Sequence, residues 1–426
     1  MSKVIVIGAG VMGLATAYHA LKRGHEVDIF EAGPEAGGMA AHFMLGDLSV
    51  ERFYHFICKT DAATFALLDE LGIRDKMRWT PTSMGYFIDG RLHRWGDPIS
   101  LLRFPALGLF SKFRYGLLAF VSTRRERWDA LETQNAKDWI TRWCGKAVYD
   151  RLWRPLFFYK FYEYADNVSA AWIWTRIKRT GRSRRSLMQE ELGYIEGGSQ
   201  TLVDALISAI ETAGGRIHLK SRIERVLARS GVVSGVRVGN ADITADAVIS
   251  TAPIPVVPDM VPDLPPETLS RYRAIANIGV VCVVLRLKHS VSPHFWVNIV
   301  GAAHEVPGII EFSNLRHVAD TVVYVPYYMP TTNEKWGWSD EVFLADAMGC
   351  VSEVNPAITE SDLVTYHVGR LRYAQPICPP GFAAMLPPVE TPISGLQIAD
   401  TCFYYPEDRG LSESVRFGKM MAENVA

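Results

Sequence analysis

The first thirty-one residues constrain the fold more than any other part of the chain. Lys3 to Gly13 reads K-V-I-V-I-G-A-G-V-M-G, and Glu31 follows a second apolar run, V-D-I-F. A short β-branched run, then spaced glycines, then apolar residues at helical spacing predicts a buried strand, a tight turn, a helix over Met12 to Arg23 and a second strand. In such a crossover Gly8 permits the turn, Gly10 lets a pyrophosphate approach the backbone, and Gly13 lets the helix lie close to the sheet. The helix start, with Val11 and Met12, turns unpaired N–H groups and the positive dipole end toward the phosphates. Glu31, 23 positions after Gly8, is placed to accept hydrogen bonds from the adenosine ribose hydroxyls. The chain is expected to bind a dinucleotide.

Bulk properties narrow the remaining classes. The 426 residues exceed one simple core, so two packed domains are expected. A net charge of −1 argues against a nucleic-acid partner, which calls for a basic surface. The six cysteines are scattered without a C-x-x-C pair, which predicts reduced, buried thiols and no metal site. The first strand begins at residue 3, which leaves no room before it for a cleavable signal peptide. No uncharged apolar run reaches the ~18 residues needed to span a bilayer. The expectation is a cytoplasmic protein, soluble or attached to the inner face of a membrane.

The residues after Glu31 distinguish flavin from nicotinamide. They read A-G-P-E-A-G-G-M-A, so Ala32 and a glycine turn precede the pair Gly37-Gly38. This pattern resembles the second signature of the FAD-binding amine oxidase, protoporphyrinogen oxidase and phytoene desaturase superfamily; Met39 stands where its members usually carry Arg. Three further segments are similar to that superfamily. They are G-Y-I-E-G-G-S-Q-T-L-V-D-A-L from Gly193, the pair of strands at Ile223 to Val226 and Asp246 to Pro253, and G-L-Q-I-A-D from Gly395 followed by Arg409-Gly410. The resemblance implies FAD, with contacts at Met39, Val226 (beside the adenine), Thr251, Asp400 (at the ribityl or phosphate region), Gly410, Ser412 and Ser414. It also implies that a helix beginning near Ser412 points its dipole at the flavin ring.

The same resemblance implies an α/β protein with a Rossmann-like FAD-binding domain assembled from residues 1–58, 193–258 and 375–426. An α+β substrate domain, of mixed sheet and helices, would then occupy 59–192, mainly helical, and 259–374, mainly strands. Helical spacing marks Ala62 to Leu71, Ala136 to Trp143 and Val168 to Ile177, and strand-like runs mark Val280 to Leu287, Trp296 to Val300, Gly308 to Phe312 and Val322 to Tyr328. The proline-rich stretch 254–266 reads as a linker that cannot be regular helix.

Several constellations admit both a functional and a structural reading. Tyr54 and His55 follow the paired glycines where the superfamily brings its chain past the flavin face. They either line the reaction site, with His55 carrying a proton near neutral pH, or form a packed aromatic strand. The aromatic run from Trp153 to Trp174, including Trp172, is either a tunnel wall or helical core. Six cations between Arg176 and Arg185, among them Arg179 and Arg182, suit a substrate phosphate, an anionic lipid surface, or a solvated helix end. Residues 99–120 mix apolar and basic positions as an interfacial helix does, or as a substrate-domain helix pair. Tyr404, in C-F-Y-Y-P, offers an aromatic face for the flavin. Many amine oxidases of the superfamily hold a Lys near the flavin at the start of a substrate-domain strand, and residues 276–279 here contain none.

The expected activity is FAD-dependent removal of a hydride and a proton from an apolar or lipid-linked small molecule, passed to an unknown electron acceptor. The alternative is a UDP-galactopyranose mutase-like flavoenzyme that acts on a nucleotide-sugar without net redox change. A flavin-binding protein with no catalysis ranks below both.

Overall fold

The computed structural model describes residues 1–425. A five-stranded, all-parallel sheet runs in the order Arg216–His218, Glu26–Phe30, Lys3–Ile7, Ala247–Ser250, Leu396–Ile398. By chain position this is the 3-2-1-4-5 order of a doubly wound sheet. The strand order reverses between Lys3–Ile7 and Ala247–Ser250, and ligands of such sheets bind at the carboxyl ends of those two strands. Gly8 and Thr251 are the residues that follow them, and Thr251 Oγ1 donates to the Ile7 carbonyl at 2.8 Å.

Helix packing against this sheet depends on missing side chains. A Cβ on Gly13 would lie 1.9 Å from the Gly8 carbonyl oxygen, so the helix Val11–Lys22 keeps its place only with glycine there. The last helix, Leu411–Glu423, crosses the first at Gly418, whose Cβ would meet the Met12 carbonyl oxygen at 2.7 Å. Both ends of the chain are thus built into one layer.

A seven-stranded mixed sheet forms the second body. Its order is Leu363–Pro376, Asn277–Leu287, Thr321–Met329, Gly308–Glu311, Trp296–Val300, Met84–Ile88, Arg91–Trp95. Only the Trp296–Val300 and Met84–Ile88 pair is parallel. The strands expected between 280 and 328 are present to within three residues at each end. Met84–Ile88 and Arg91–Trp95 escaped the hydropathy reading because Gly85, Arg91, His93 and Arg94 interrupt the apolar pattern. The expected helices also form, as Ala62–Glu70, Ala136–Cys144 and Ala170–Arg182.

The stretch 254–266 is built of short turns: a 3₁₀ turn, Ile254–Val256, runs into the helical turn Val257–Met260, and Ile254, Val257 and Val261 are fully buried. Pro255, Pro258 and Pro266 sit in the first turns of short helices, where the missing N–H is not needed. All six cysteines are free and buried. Among the described residues no helix is long and apolar enough to cross a membrane, and no cluster of side chains could hold a metal ion.

Candidate active site

One large cavity, about 2020 Å³, runs from the parallel sheet to the surface of the helical segment. Its inner end is a cradle of backbone. Gly8 (φ +96°) donates its N–H to the Phe30 carbonyl, and Gly37 (φ +106°) donates to the Ala9 carbonyl at 2.7 Å. Gly38 lies flat over Gly10, where a Cβ would come within 3.2 Å of the Gly10 Cα. A Cβ on Gly10 itself would meet nothing within 4 Å, because that direction is cavity. The helix at Val11 has Gly10 as its cap residue, no side-chain cap and no acid in its first turn. Its orphan N–H groups and dipole are left for an anion.

Glu31 is oriented before any ligand arrives. Its Oε2 accepts the Ala9 N–H at 2.8 Å and its Oε1 accepts the Gly33 N–H at 2.7 Å. A second helix start without a side-chain cap, at Gly410 and Leu411, opens on the same cavity. Two open helix ends, a glycine cradle and a fixed carboxylate are the features a dinucleotide with a negatively charged diphosphate and a ribose diol requires, so the residues fit FAD.

Most sequence-derived candidates converge on this cavity. Gly8, Gly10, Val11, Met12, Glu31, Ala32, Gly37, Gly38, Met39, Thr251, Asp400, Gly410 and Ser414 line it, as do Tyr54, His55, Tyr404 and Arg179. Asp400 spends both oxygens on backbone, accepting from Ile254 N and Cys402 N at 2.8 Å each, and burial raises its pKa. Tyr404 donates to Ser414 Oγ at 2.8 Å.

Others lie elsewhere. Gly13 acts through packing, as described above. Val226 is fully buried behind Ile223, which reaches the wall, and Ser412 is buried in the last helix outside the lining. Trp172 is core, not substrate wall: it lies behind the cavity with the Arg176 guanidinium 4.4 Å from its ring. Arg182 faces away, bound to the Thr123 carbonyl at 2.8 Å and paired with Glu126. The basic run is therefore not one anion patch. Arg176 pairs with Asp408, Arg179 with Asp61, and Lys178 and Arg182 share Glu126.

The second glycine motif has a clear physical role. Gly198 (φ +83°) rests on a buried ionic group in which Glu51 accepts from Arg316 at 3.0 Å and lies 3.5 Å from His42. A Cβ on Gly198 would fall within 2.6 Å of all three side chains. Ser199 then donates to the Ala40 carbonyl at 2.6 Å. The turn buttresses the strand pair that carries Tyr54 and His55 into the cavity.

Beyond the cradle the cavity turns aromatic. Tyr54 packs edge-on against Trp296 and Tyr324, with its hydroxyl 3.4 Å from that of Tyr328. Burial drives the Tyr54 hydroxyl well above its ordinary pKa, so it stays protonated. Burial also lowers the His55 pKa to about 4, and its Nδ1 has no partner. Burial therefore favours the neutral imidazole of His55 at pH 7. Between pH 6.5 and about 4 the unfolded chain takes up a proton here that the folded chain refuses. Stability should fall with pH across that window, by about 2–3 kcal/mol at pH 4.5. His55→Gln is expected to flatten that part of the urea-midpoint profile; an unchanged slope would assign it to other groups.

Sequence reasoning missed Lys160. It enters the chamber from the helix Arg154–Phe161, with its ammonium 5.1 Å from the Tyr328 ring centre. A single charge inside the run F-F-Y-K-F-Y was the available signal.

Comparisons with known proteins agree with this geometry. The chain is 24% identical over 285 residues to 15-cis-phytoene desaturase of Narcissus pseudonarcissus, covering 61% of this chain and 49% of that protein. It is 29% identical over 158 residues to protoporphyrinogen oxidase 2 of Arabidopsis thaliana, covering 36% and 31%. At best about half the length of these curated relatives is matched. A solved structure of reduced UDP-galactopyranose mutase superposes with a TM-score of 0.77 at 15% identity, covering 99% of this chain and 95% of the other. The flavin containing amine oxidoreductase family matches residues 12–402, and the chain belongs to that family, with FAD as its cofactor.

Proposed function

We propose that this protein is an FAD-dependent oxidoreductase that removes a hydride and a proton from an apolar or lipid-linked molecule. The observation that carries the reading is the continuity of one cavity, from the dinucleotide cradle through an aromatic chamber to a mouth among apolar helices. In this reading residues 1–58, 193–258 and 375–426 hold the cofactor, and 59–192 and 259–374 shape the substrate chamber. Bound FAD supplies the hydride acceptor. Trp153, Phe157, Trp296 and Tyr328 orient an apolar substrate and exclude water, which strengthens every electrostatic contact inside. The Tyr54 and Tyr328 hydroxyls offer hydrogen bonds at the chamber floor.

The mouth gives the reading its membrane component. Helices Pro98–Arg103 and Leu109–Arg124 contribute Leu101, Tyr115 and Phe120 to the cavity wall and expose Leu102, Leu109, Phe110 and Phe113 outward. An apolar molecule dissolved in a bilayer would reach the chamber without crossing water. The electron acceptor is any species able to reoxidise the flavin.

Anaerobic mixing tests the reaction. Loss of the oxidised flavin absorbance with 15-cis-phytoene, protoporphyrinogen or another apolar candidate is the expected outcome. Cationic groups in the chamber favour one second reading, mutase chemistry on a nucleotide-sugar. Turnover of UDP-galactopyranose only after dithionite reduction, without bleaching by any apolar candidate, would replace the first reading with that one.

A further inference from the structure

A lysine and two arginines meet in the chamber around a single carboxylate. Lys160 forms no hydrogen bond or ion pair with any described residue, and its nearest charged neighbours are Arg176, Asp408 and Arg409. Arg176 donates through Nη2 to Asp408 Oδ1 at 2.8 Å, but its Nε is buried without a partner. Arg409 donates through Nη1 to the Ala374 carbonyl, and its Nε is likewise buried and unpartnered. Asp408 also accepts the Arg409 backbone N–H at 2.9 Å. Lys160, Arg176, Arg409 and Asp408 all border the cavity.

Charge balance is the issue. Two guanidinium groups against one carboxylate leave a positive charge uncompensated beside Lys160, whose burial favours its neutral form, and an entering anion would restore the balance. The Lys160 amine and the guanidinium groups of Arg176 and Arg409, whose hydrogen bonds to Asp408 and to the Ala374 carbonyl leave other N–H groups over, make a donor set that matches the oxygens of a phosphate or carboxylate. The phosphate cradle for FAD lies elsewhere, at the uncapped helix start of Val11 and the pair Gly37-Gly38. Lys160 sits instead on Tyr328, which meets Tyr54 on the floor of the large sheet.

We infer that Lys160, Arg176 and Arg409 form an oxyanion subsite for the substrate, which is therefore an apolar body ending in a phosphate or carboxylate. This rests on the reading of the chamber as a substrate site. Desolvation and the neighbouring guanidinium groups hold the Lys160 pKa well below its ordinary value, and an anion bound beside it would raise that pKa and favour the ammonium. Asp408, surrounded by cations, stays ionised.

The test uses the FAD-loaded protein, with octyl phosphate and octanol as probes below their micelle concentrations and quenching of the cavity tryptophans as readout. Octyl phosphate should bind at least about 10-fold tighter than octanol, Lys160→Met should erase that margin, and Lys160→Arg should keep most of it. FAD affinity of Lys160→Met should stay within about two-fold of wild type, since the cradle is separate. Equal binding of the two probes by the wild type overturns the inference. So does a parallel loss of FAD affinity in Lys160→Met, which would assign the cations to the cofactor's own phosphates. A protein that takes up no FAD overturns the flavoenzyme reading, while the tryptophan titration, which needs no flavin, still decides this one.

Discussion

Glu31→Ala is expected to weaken FAD binding by about 10²-fold and to destabilise the empty protein as well. The carboxylate does two jobs whose contributions are separable. In the empty protein it accepts the N–H of Ala9, a fully buried residue in the glycine turn, and that of Gly33 in the next loop. Deleting it leaves a buried donor unpaired, at about 1–3 kcal/mol. Glu31 borders the cavity, and its remaining lone pairs would accept the ribose hydroxyls of FAD. Two charge-assisted bonds at about 1.5 kcal/mol each give the hundredfold loss. Glu31→Gln keeps one acceptor oxygen and loses the charge, so it should fall between. Titration of apoprotein with FAD by flavin fluorescence reads the first effect, and urea unfolding of the apoprotein reads the second. An Ala variant that is destabilised yet binds FAD like wild type would reduce Glu31 to a loop fastener.

What the sequence disclosed here was local. The strand, glycine turn, helix and Glu31 lie within about thirty consecutive residues, and their roles follow from backbone conformations that only such residues adopt. Gly13 was readable together with its role, because Gly8 belongs to the same short motif; Gly198 was readable only as a motif member, because His42, Glu51 and Arg316 come from distant segments. Lys160 was hidden for the opposite reason. A lysine in an aromatic run looks like a solvated interruption, and only the packing of its helix against Thr321–Met329 places its ammonium over Tyr328. Trp172 failed because aromatic content does not say which face of a helix meets a cavity; Arg176, four residues on, took the inner position and covers it. The cationic run dissolved into ion pairs because its acids, Asp61, Glu126 and Asp408, come from three distant segments.

Replacing Phe110, Phe113 and Phe120 together by serine should abolish binding to anionic liposomes while leaving the fold and FAD uptake intact. Phe110, Phe113, Leu117 and Phe120 follow helical spacing on one face of Leu109–Arg124, and all are exposed. Leu109 is 77% exposed, Phe110 72%, Phe113 69% and, beside the same cavity mouth, Leu187 80%. A helix in a globular protein turns that stripe inward, and a water-soluble surface of this kind carries a continuing cost of hydration. Exposed Arg103, Arg124 and Arg185 flank it, and the Arg124 guanidinium lies 4.3 Å from the Phe120 ring. An apolar stripe with a basic rim is the surface that an anionic bilayer interface complements. Three phenylalanines inserted at about 1.5 kcal/mol each account for more than 10² in partition coefficient. The arginine rim adds about 1 kcal/mol per residue at low salt, which about 0.5 M salt should screen away. Sedimentation with phosphatidylserine-containing vesicles measures both terms, and the melting temperature and flavin content of the variant verify that the fold survives. Wild-type protein that stays in the supernatant at low salt would remove the bilayer from the proposal. Equal sedimentation of wild type and variant would move the contact to another face, and with it the route by which an apolar substrate reaches the chamber.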